Sequence, residues 1–201
     1  MVNILITTIY GSTDPILLLS TKFSIDMIYV VIDKEENKRQ MEVYEKLKDT
    51  IGNIIEIKPI KTELYDIVKV AQDITKVIDM VSEKENISIN ITGSRRTQAL
   101  GLLYAAYARA QRISKILYVV PEEKKVVYLP KLDYNLNNSQ KSILETIQRH
   151  KFKSHSDLAE KMNLSRGMVY RTITELINLG LLIQDEEEGF RLTDAGKIVV
   201  L

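Results

Sequence analysis

Two short stretches of this sequence gather residue types that bind anions. In INITGSRRTQ, residues 89–98, Gly93 sits among Thr92, Ser94 and Thr97 and is followed by the adjacent pair Arg95 and Arg96. In TTIYGSTD, residues 7–14, Gly11 lies between Tyr10 and Ser12, with Thr8 shortly before. Glycine lets a backbone come close to a ligand, and guanidinium groups pair with phosphate oxygens. A helix opening near Thr97 would add free N–H groups and the positive end of its dipole, which favour the same guest. That guest is phosphate. The plainer alternative is an ordinary strand-to-helix turn, with Thr92 or Ser94 capping the helix and both arginines in water.

Familiar catalytic signatures do not fit these stretches. No G-x-G-x-x-G follows the first strand-like run and no G-x-x-x-x-G-K-[ST] occurs anywhere. TGSRR lacks the G-x-S-x-G of a nucleophile elbow, and the two histidines, His150 and His155, fall far downstream of Ser94. Cysteine is absent, which removes disulfides, thiolate zinc sites and cysteine nucleophiles and suits a reducing cytoplasm. Two histidines without a carboxylate cluster make no metal site, so neither metal nor cofactor is expected. No apolar run approaches the roughly 18 residues of a membrane span, and MVNILITTIY is no signal peptide. Net charge is +1 and neither half is strongly basic, so any nucleic-acid surface must be local.

The elements that must carry these stretches alternate. Strands are predicted at 2–8, 27–32, 54–59, 87–92, 116–120 and 126–129, and helices near 14–21, 35–50, 62–84 and 95–112. Most strand runs are apolar without alternation, as in central strands covered on both faces. The pattern predicts an α/β fold with a Rossmann-like, mainly parallel sheet and helices on both faces. PEEKK between the last two runs predicts an antiparallel hairpin at the edge. In such sheets ligands bind outside the C-terminal strand ends, where both anion-binding stretches fall.

Near Leu129 the pattern changes. We expect a sensing and dimerisation domain over 1–130, a linker over 131–138 and a second domain over 139–201. Helices are predicted at 139–150, 156–162 and 166–179, with Ser165 as an N-cap and Gly180 as the stop. LLIQDEEEGFRLT then predicts a hairpin with an acidic tip. SDLAEKMNLSRGMVYRTITELINLGLL with the closing RLTDAGK resembles the winged helix-turn-helix of archaeal and bacterial regulators. The resemblance implies that the third helix lies in the DNA major groove. Its candidate contacts are Ser165, Arg166, Gly167, Tyr170, Arg171 and Thr174, with Arg191 on the wing. Asp185, Glu186, Glu187 and Glu188 would keep the wing tip off the phosphates. A winged helix used for protein contacts is the alternative.

ITGSRRTQALGLLYAAY after an ISIN strand, joined to a winged helix, resembles the CRISPR-associated Rossmann-fold (CARF) regulators. In that family a Thr-Gly-Gly-x-Arg-like motif contributes to a site for cyclic oligoadenylates. Thr92, Gly93 and Arg96 match it, Arg95 takes the variable place, Ser94 replaces the second glycine, and Thr97 follows. The resemblance implies a homodimer holding a cyclic oligoadenylate, first of all cyclic tetraadenylate, on its two-fold axis. Thr8, Tyr10, Gly11 and Ser12 would complete the walls, with Tyr10 stacking on adenine. It further implies a palindromic double-stranded DNA site and hinge motion in the linker. Two other functions stay open: cleavage of the cyclic oligoadenylate as a ring nuclease, and sensing of another anionic nucleotide.

Overall fold

The computed structural model describes residues 1–35, 37–132, 136–185 and 188–200. The chain divides into two compact units, Met1–Leu129 and Pro130–Leu201.

The first unit is a six-stranded sheet: β1 (Asn3–Thr8), β2 (Met27–Asp33), β3 (Glu56–Thr62), β4 (Asn86–Asn90), β5 (Ile113–Val120) and β6 (Lys125–Leu129). They lie in the order β3-β2-β1-β4-β5-β6, all parallel except the β5–β6 pair. Four α-helices join them: α1 (Asp14–Lys22), α2 (Lys38–Ile51), α3 (Ile67–Met80) and α4 (Arg96–Ala108). Strand alternation splits the apolar residues between two cores. Ile4 and Ile6 of β1 pack with Ile87 and Ile89 of β4 and with Val70, Ile74, Ile78 and Leu102 from α3 and α4. Leu5 points the other way, packing with Ile28 and Val30 of β2, Ile16 and Leu19 of α1, and Leu47 of α2. This two-sided burial explains the unbroken apolar strand runs.

Most predicted elements stand, with shifted ends. The third strand moves from 54–59 to Glu56–Thr62, leaving Ile54 84% exposed in the preceding turn. Pro59 is tolerated inside it because β3 is an edge strand pairing only with β2. The expected 62–84 helix shrinks to Ile67–Met80, since the Asp66 side chain accepts from Lys69 N–H and sets the start.

The second unit contains α5 (Asn138–Arg149), α6 (His155–Met162), α7 (Arg166–Asn178), a hairpin of β7 (Leu182–Asp185) and β8 (Gly189–Leu192), and α8 (Asp194–Val199). Ile143, Leu144, Leu158, Val169, Ile173, Leu176 and Phe190 are buried in this unit. Asn163 turns α6 into α7 with φ +53, and Gly180 ends α7 with φ +70. The α8 turn, capped by Thr193, lies where only the closing RLTDAGK signature was read. Of the expected linker, residues 133–135 lie outside the described residues, as do Glu186 and Glu187 of the wing tip. No described helix is long and apolar enough to cross a membrane.

Candidate functional site

Strand order makes β1 and β4 neighbours, so the loops leaving their C-terminal ends meet where the sheet changes direction of growth. A buried polar network fixes the spacing of those loops. Asn90, ending β4, donates Nδ2 to the Thr7 hydroxyl at 2.9 Å. Its Oδ1 accepts from Thr92 Oγ1 at 2.7 Å and from Thr92 N–H at 3.1 Å. The Thr92 hydroxyl in turn accepts from Val119 N–H at 2.7 Å, which ties in β5. Thr8 Oγ1 donates to the Thr92 carbonyl at 3.0 Å. On the other side, Gln40 of α2 donates to the Ile9 carbonyl at 2.9 Å and accepts from Asp33 N–H at 2.8 Å.

Above the network lies a cleft of about 950 Å³. Tyr10, Gly11 and Ser12 from the first loop and Thr92, Gly93, Ser94 and Arg96 from the second border it. Leu17 and Leu18 of α1, and Tyr118 and Val119 of β5, supply an apolar wall, while Pro121 and Lys124 close it from the β5–β6 turn. The volume falls within the range of small-molecule sites, and the apolar wall beside a few polar groups is their usual composition. Gly93 has φ +78 and open space where a Cβ would stand. A side chain there would be strained and would occupy the mouth of the cleft.

Helix ends explain what this cleft can attract. Asn37, Asp66, Asn137, Ser154, Ser165 and Thr193 cap α2, α3, α5, α6, α7 and α8 with side-chain hydrogen bonds. Helices α1 and α4 have no N-cap side-chain bond among the described residues, and both start at the cleft. Neither Thr92 nor Ser94 caps α4: the first is engaged in the network, and the second donates to the Arg95 carbonyl at 3.0 Å. The α4 end therefore combines free N–H groups with Arg96 and Lys124. At α1 the Asp14 N–H is taken by Ser12 Oγ at 3.0 Å, and the Asp14 carboxylate also borders the cleft. Groups suited to an anion thus concentrate on the β4–α4 side.

Tyr10 is held by two arginines from separate elements. Arg95 Nη2 donates to the Tyr10 hydroxyl at 2.8 Å, and its guanidinium carbon lies 4.7 Å from the ring centroid. The Arg39 guanidinium carbon lies 5.3 Å from the same ring. Arg95 therefore does not simply face water: it spans the two loops and fixes the tyrosine.

Two expected ligand residues, Thr8 and Thr97, hold scaffold hydrogen bonds. Thr8 is 1% exposed with its hydroxyl bonded internally, because β1 runs through it and pairs it with Val31. Thr97 donates its hydroxyl to the Leu64 carbonyl at 2.7 Å, pinning the start of α4 to the loop after β3. Arg39, Lys124 and the α1 leucines were missed. Arg39 reaches Tyr10 only through the β2–α2 crossover, and Lys124 only through the edge hairpin.

The second unit presents a separate surface. On α7, Val169, Thr172, Ile173 and Leu176 are buried, whereas Arg166, Gly167, Tyr170, Arg171 and Thr174 are exposed. Ser165 uses its side chain to accept from Met168 N–H at 3.2 Å, leaving its cap role clear. Gly167 has open space around a would-be Cβ. Arg171 lies 3.9 Å from Glu175, and Thr174 Oγ1 donates to the Tyr170 carbonyl at 2.9 Å. Arg191, the expected contact on the wing, has ion-pair partners within its own hairpin. It pairs with Asp185 at 3.6 Å and Glu188 at 3.0 Å, so its charge is neutralised.

Residues 6–124 match the family described as "HFX_2341_N:-like, N-terminal", and residues 136–183 match the winged helix-turn-helix DNA-binding family. No curated protein sequence matches the chain. Three of the solved structures that share its fold illustrate the likeness. Can2 from Sulfobacillus thermosulfidooxidans, in complex with cyclic tetra-adenylate, is 11% identical with TM-score 0.53; the match covers 98% of this chain and 63% of Can2. VC1899 from Vibrio cholerae is 10% identical with TM-score 0.54, over 98% of this chain and 64% of that one. Csm6 from Enterococcus italicus, bound to cyclic hexa-2'-fluoro-hexa-dAMP, is 14% identical with TM-score 0.56, over 90% and 56%. This chain spans less than two thirds of each, and at these identities the likeness is one of fold.

Proposed function

From a chain that belongs to the HFX_2341_N-like family and continues into a winged helix-turn-helix, we propose a CARF-type transcriptional regulator that senses a cyclic oligoadenylate. The observation that carries this reading is the cleft between β1 and β4, where the uncapped start of α4, Arg96 and Lys124 adjoin an aromatic and apolar wall. A nucleotide needs both: phosphate meets the donors and base meets Tyr10, Leu17, Leu18 and Tyr118. Can2 and Csm6 hold cyclic adenylates on the same fold, which supports this class of ligand. Cyclic tetraadenylate is the first candidate, being able to match a two-fold axis.

The proposed assembly is a homodimer. Beyond its first turn helix α4 is apolar all round, yet Leu100 and Tyr104, one turn apart, remain 40% and 52% exposed. A helix of that kind is ordinarily covered on all faces, and a second copy would cover this one. In a two-fold dimer the paired α7 helices read half-sites about 34 Å apart, so the DNA site is palindromic. Ligand acts by favouring one arrangement of the units over another. Fluorescence anisotropy on promoter duplexes from the neighbouring operon, with and without cyclic tetraadenylate, tests the whole reading. A ligand-dependent shift in DNA affinity is expected; DNA affinity that is indifferent to every cyclic oligoadenylate overturns it.

A further inference from the structure

The described cations of the winged unit differ in their pairing; Lys141, Lys161 and Arg166 are exposed without a described ion pair but stand apart from one another in the chain. Arg171, Arg191 and Lys197 each pair with a carboxylate of the unit. Arg149, Lys151 and Lys153 are exposed and make no ion pair among the described residues. They fall in one five-residue run, RHKFK, from the last residue of α5 into the segment before α6. The run is bracketed by extended backbone, with φ −137 and ψ 145 at His150 and φ −132 and ψ 155 at Ser154. Phe152 is 7% exposed, so the lysines on either side of it are turned outward together.

The run is fastened to the wing. Phe190 N–H of β8 donates to the Phe152 carbonyl at 3.0 Å. Gly189, at φ +80, packs so closely on Phe152 and Lys153 that any Cβ there would strike their backbone. The run also flanks the recognition helix. His155, two residues beyond Lys153, has its ring 4.9 Å from that of Phe190 and 5.2 Å from that of Tyr170. Tyr170 is itself 61% exposed on the outer face of α7.

We infer that the RHKFK strap, through Lys151 and Lys153 with Arg149 beside them, is the phosphate clamp of this unit and takes the part a basic wing would play. The wing cannot fill that part, because Asp185 and Glu188 neutralise Arg191. The strap carries three positive charges without a described ion pair, held to the wing beside α7, and grips the DNA backbone irrespective of sequence. This inference rests on α7 being a DNA-contacting helix, and the test separates the two.

The probe is a labelled duplex of about 30 base pairs and random sequence, titrated over a sodium chloride series, because phosphate contacts set the salt slope whatever the sequence. The wild-type chain is compared with Lys151→Ala/Lys153→Ala, with each single variant, and with Lys197→Ala as a paired-lysine control. Each single strap variant should lower the log–log salt slope by about 1 and the double variant by about 2. Lys197→Ala should leave it unchanged. A double variant that folds, judged by circular dichroism, and keeps the wild-type slope overturns the clamp while leaving α7 as a DNA reader. A wild-type chain that binds no duplex overturns the DNA reading and the clamp with it.

Discussion

The cleft of the first unit and the outer face of α7 are built in opposite ways. At the cleft, Thr7, Thr8, Asn90, Thr92 and Gln40 are almost fully buried, and their side-chain hydrogen bonds fix where two loops stop. On α7 the apolar stripe alone sets the helix, and the residues facing outward carry little of the fold. Positioning and binding are therefore coupled in the cleft and separable on the helix. One region should lose stability and ligand affinity together; the other should lose only recognition.

The sharpest way to break this contrast is Thr92→Val. It removes the hydroxyl that joins Asn90 to Val119 N–H, which orphans that buried N–H and leaves Asn90 Oδ1 with the Thr92 N–H alone. We expect a loss of about 2–3 kcal/mol in unfolding free energy, measured by urea denaturation, together with loss of ligand affinity. Unchanged stability would show that the loops are not held by this network. Arg96→Ala comes next. It should weaken binding of cyclic tetraadenylate by about 10–100-fold, the worth of a charge-assisted hydrogen bond, with ligand-free DNA binding and stability intact. A joint fall of all three would make Arg96 a scaffold residue. Arg166→Ala should relax base preference at one position by about 1–3 kcal/mol while stability stays within about 0.5 kcal/mol. Affinity lost equally on every duplex would instead make Arg166 a phosphate contact.

The smallest expected effect lies away from both sites. Burial pushes the Asp73 carboxyl upward, but hydrogen bonds from Lys76, Lys69 and the Thr62 hydroxyl outweigh it and hold the group below its ordinary value. A folded-state value below the unfolded one stabilises the protein at neutral pH. That contribution is lost as pH falls through the folded value. The stability gap between wild type and Asp73→Asn should therefore hold near neutral pH and narrow as pH falls below the ordinary carboxylate range, about 4; a constant gap would remove the ion pairs from the account.

Much of this was readable in the chain itself. Apolar strand runs and the helix stripes gave the α/β class and the winged helix, because both follow from local periodicity and capping. Gly93 and Arg96 stood out because a positive φ and a free guanidinium at a helix start are local properties. What sequence could not reveal was non-local. Thr8 and Thr97 read as ligand hydroxyls, yet one bonds to Thr92 across β1 and β4, and the other to Leu64 across α4 and the β3 loop. Arg39 is the second residue of α2, and only the crossover brings it to Tyr10. Arg191 read as the wing's single cation, but the hairpin register sets Ile183 opposite it and leaves it between Asp185 and Glu188.

The central claim is that the β1–β4 cleft binds a cyclic oligoadenylate. Isothermal titration of cyclic tri-, tetra- and hexaadenylate into the wild-type chain and Arg96→Ala tests it most directly. The account predicts saturable binding of at least one ring, cyclic tetraadenylate first, at one ring per two chains, and severe weakening in Arg96→Ala. Absence of heat with all three rings, or equal affinity in the variant, would contradict it.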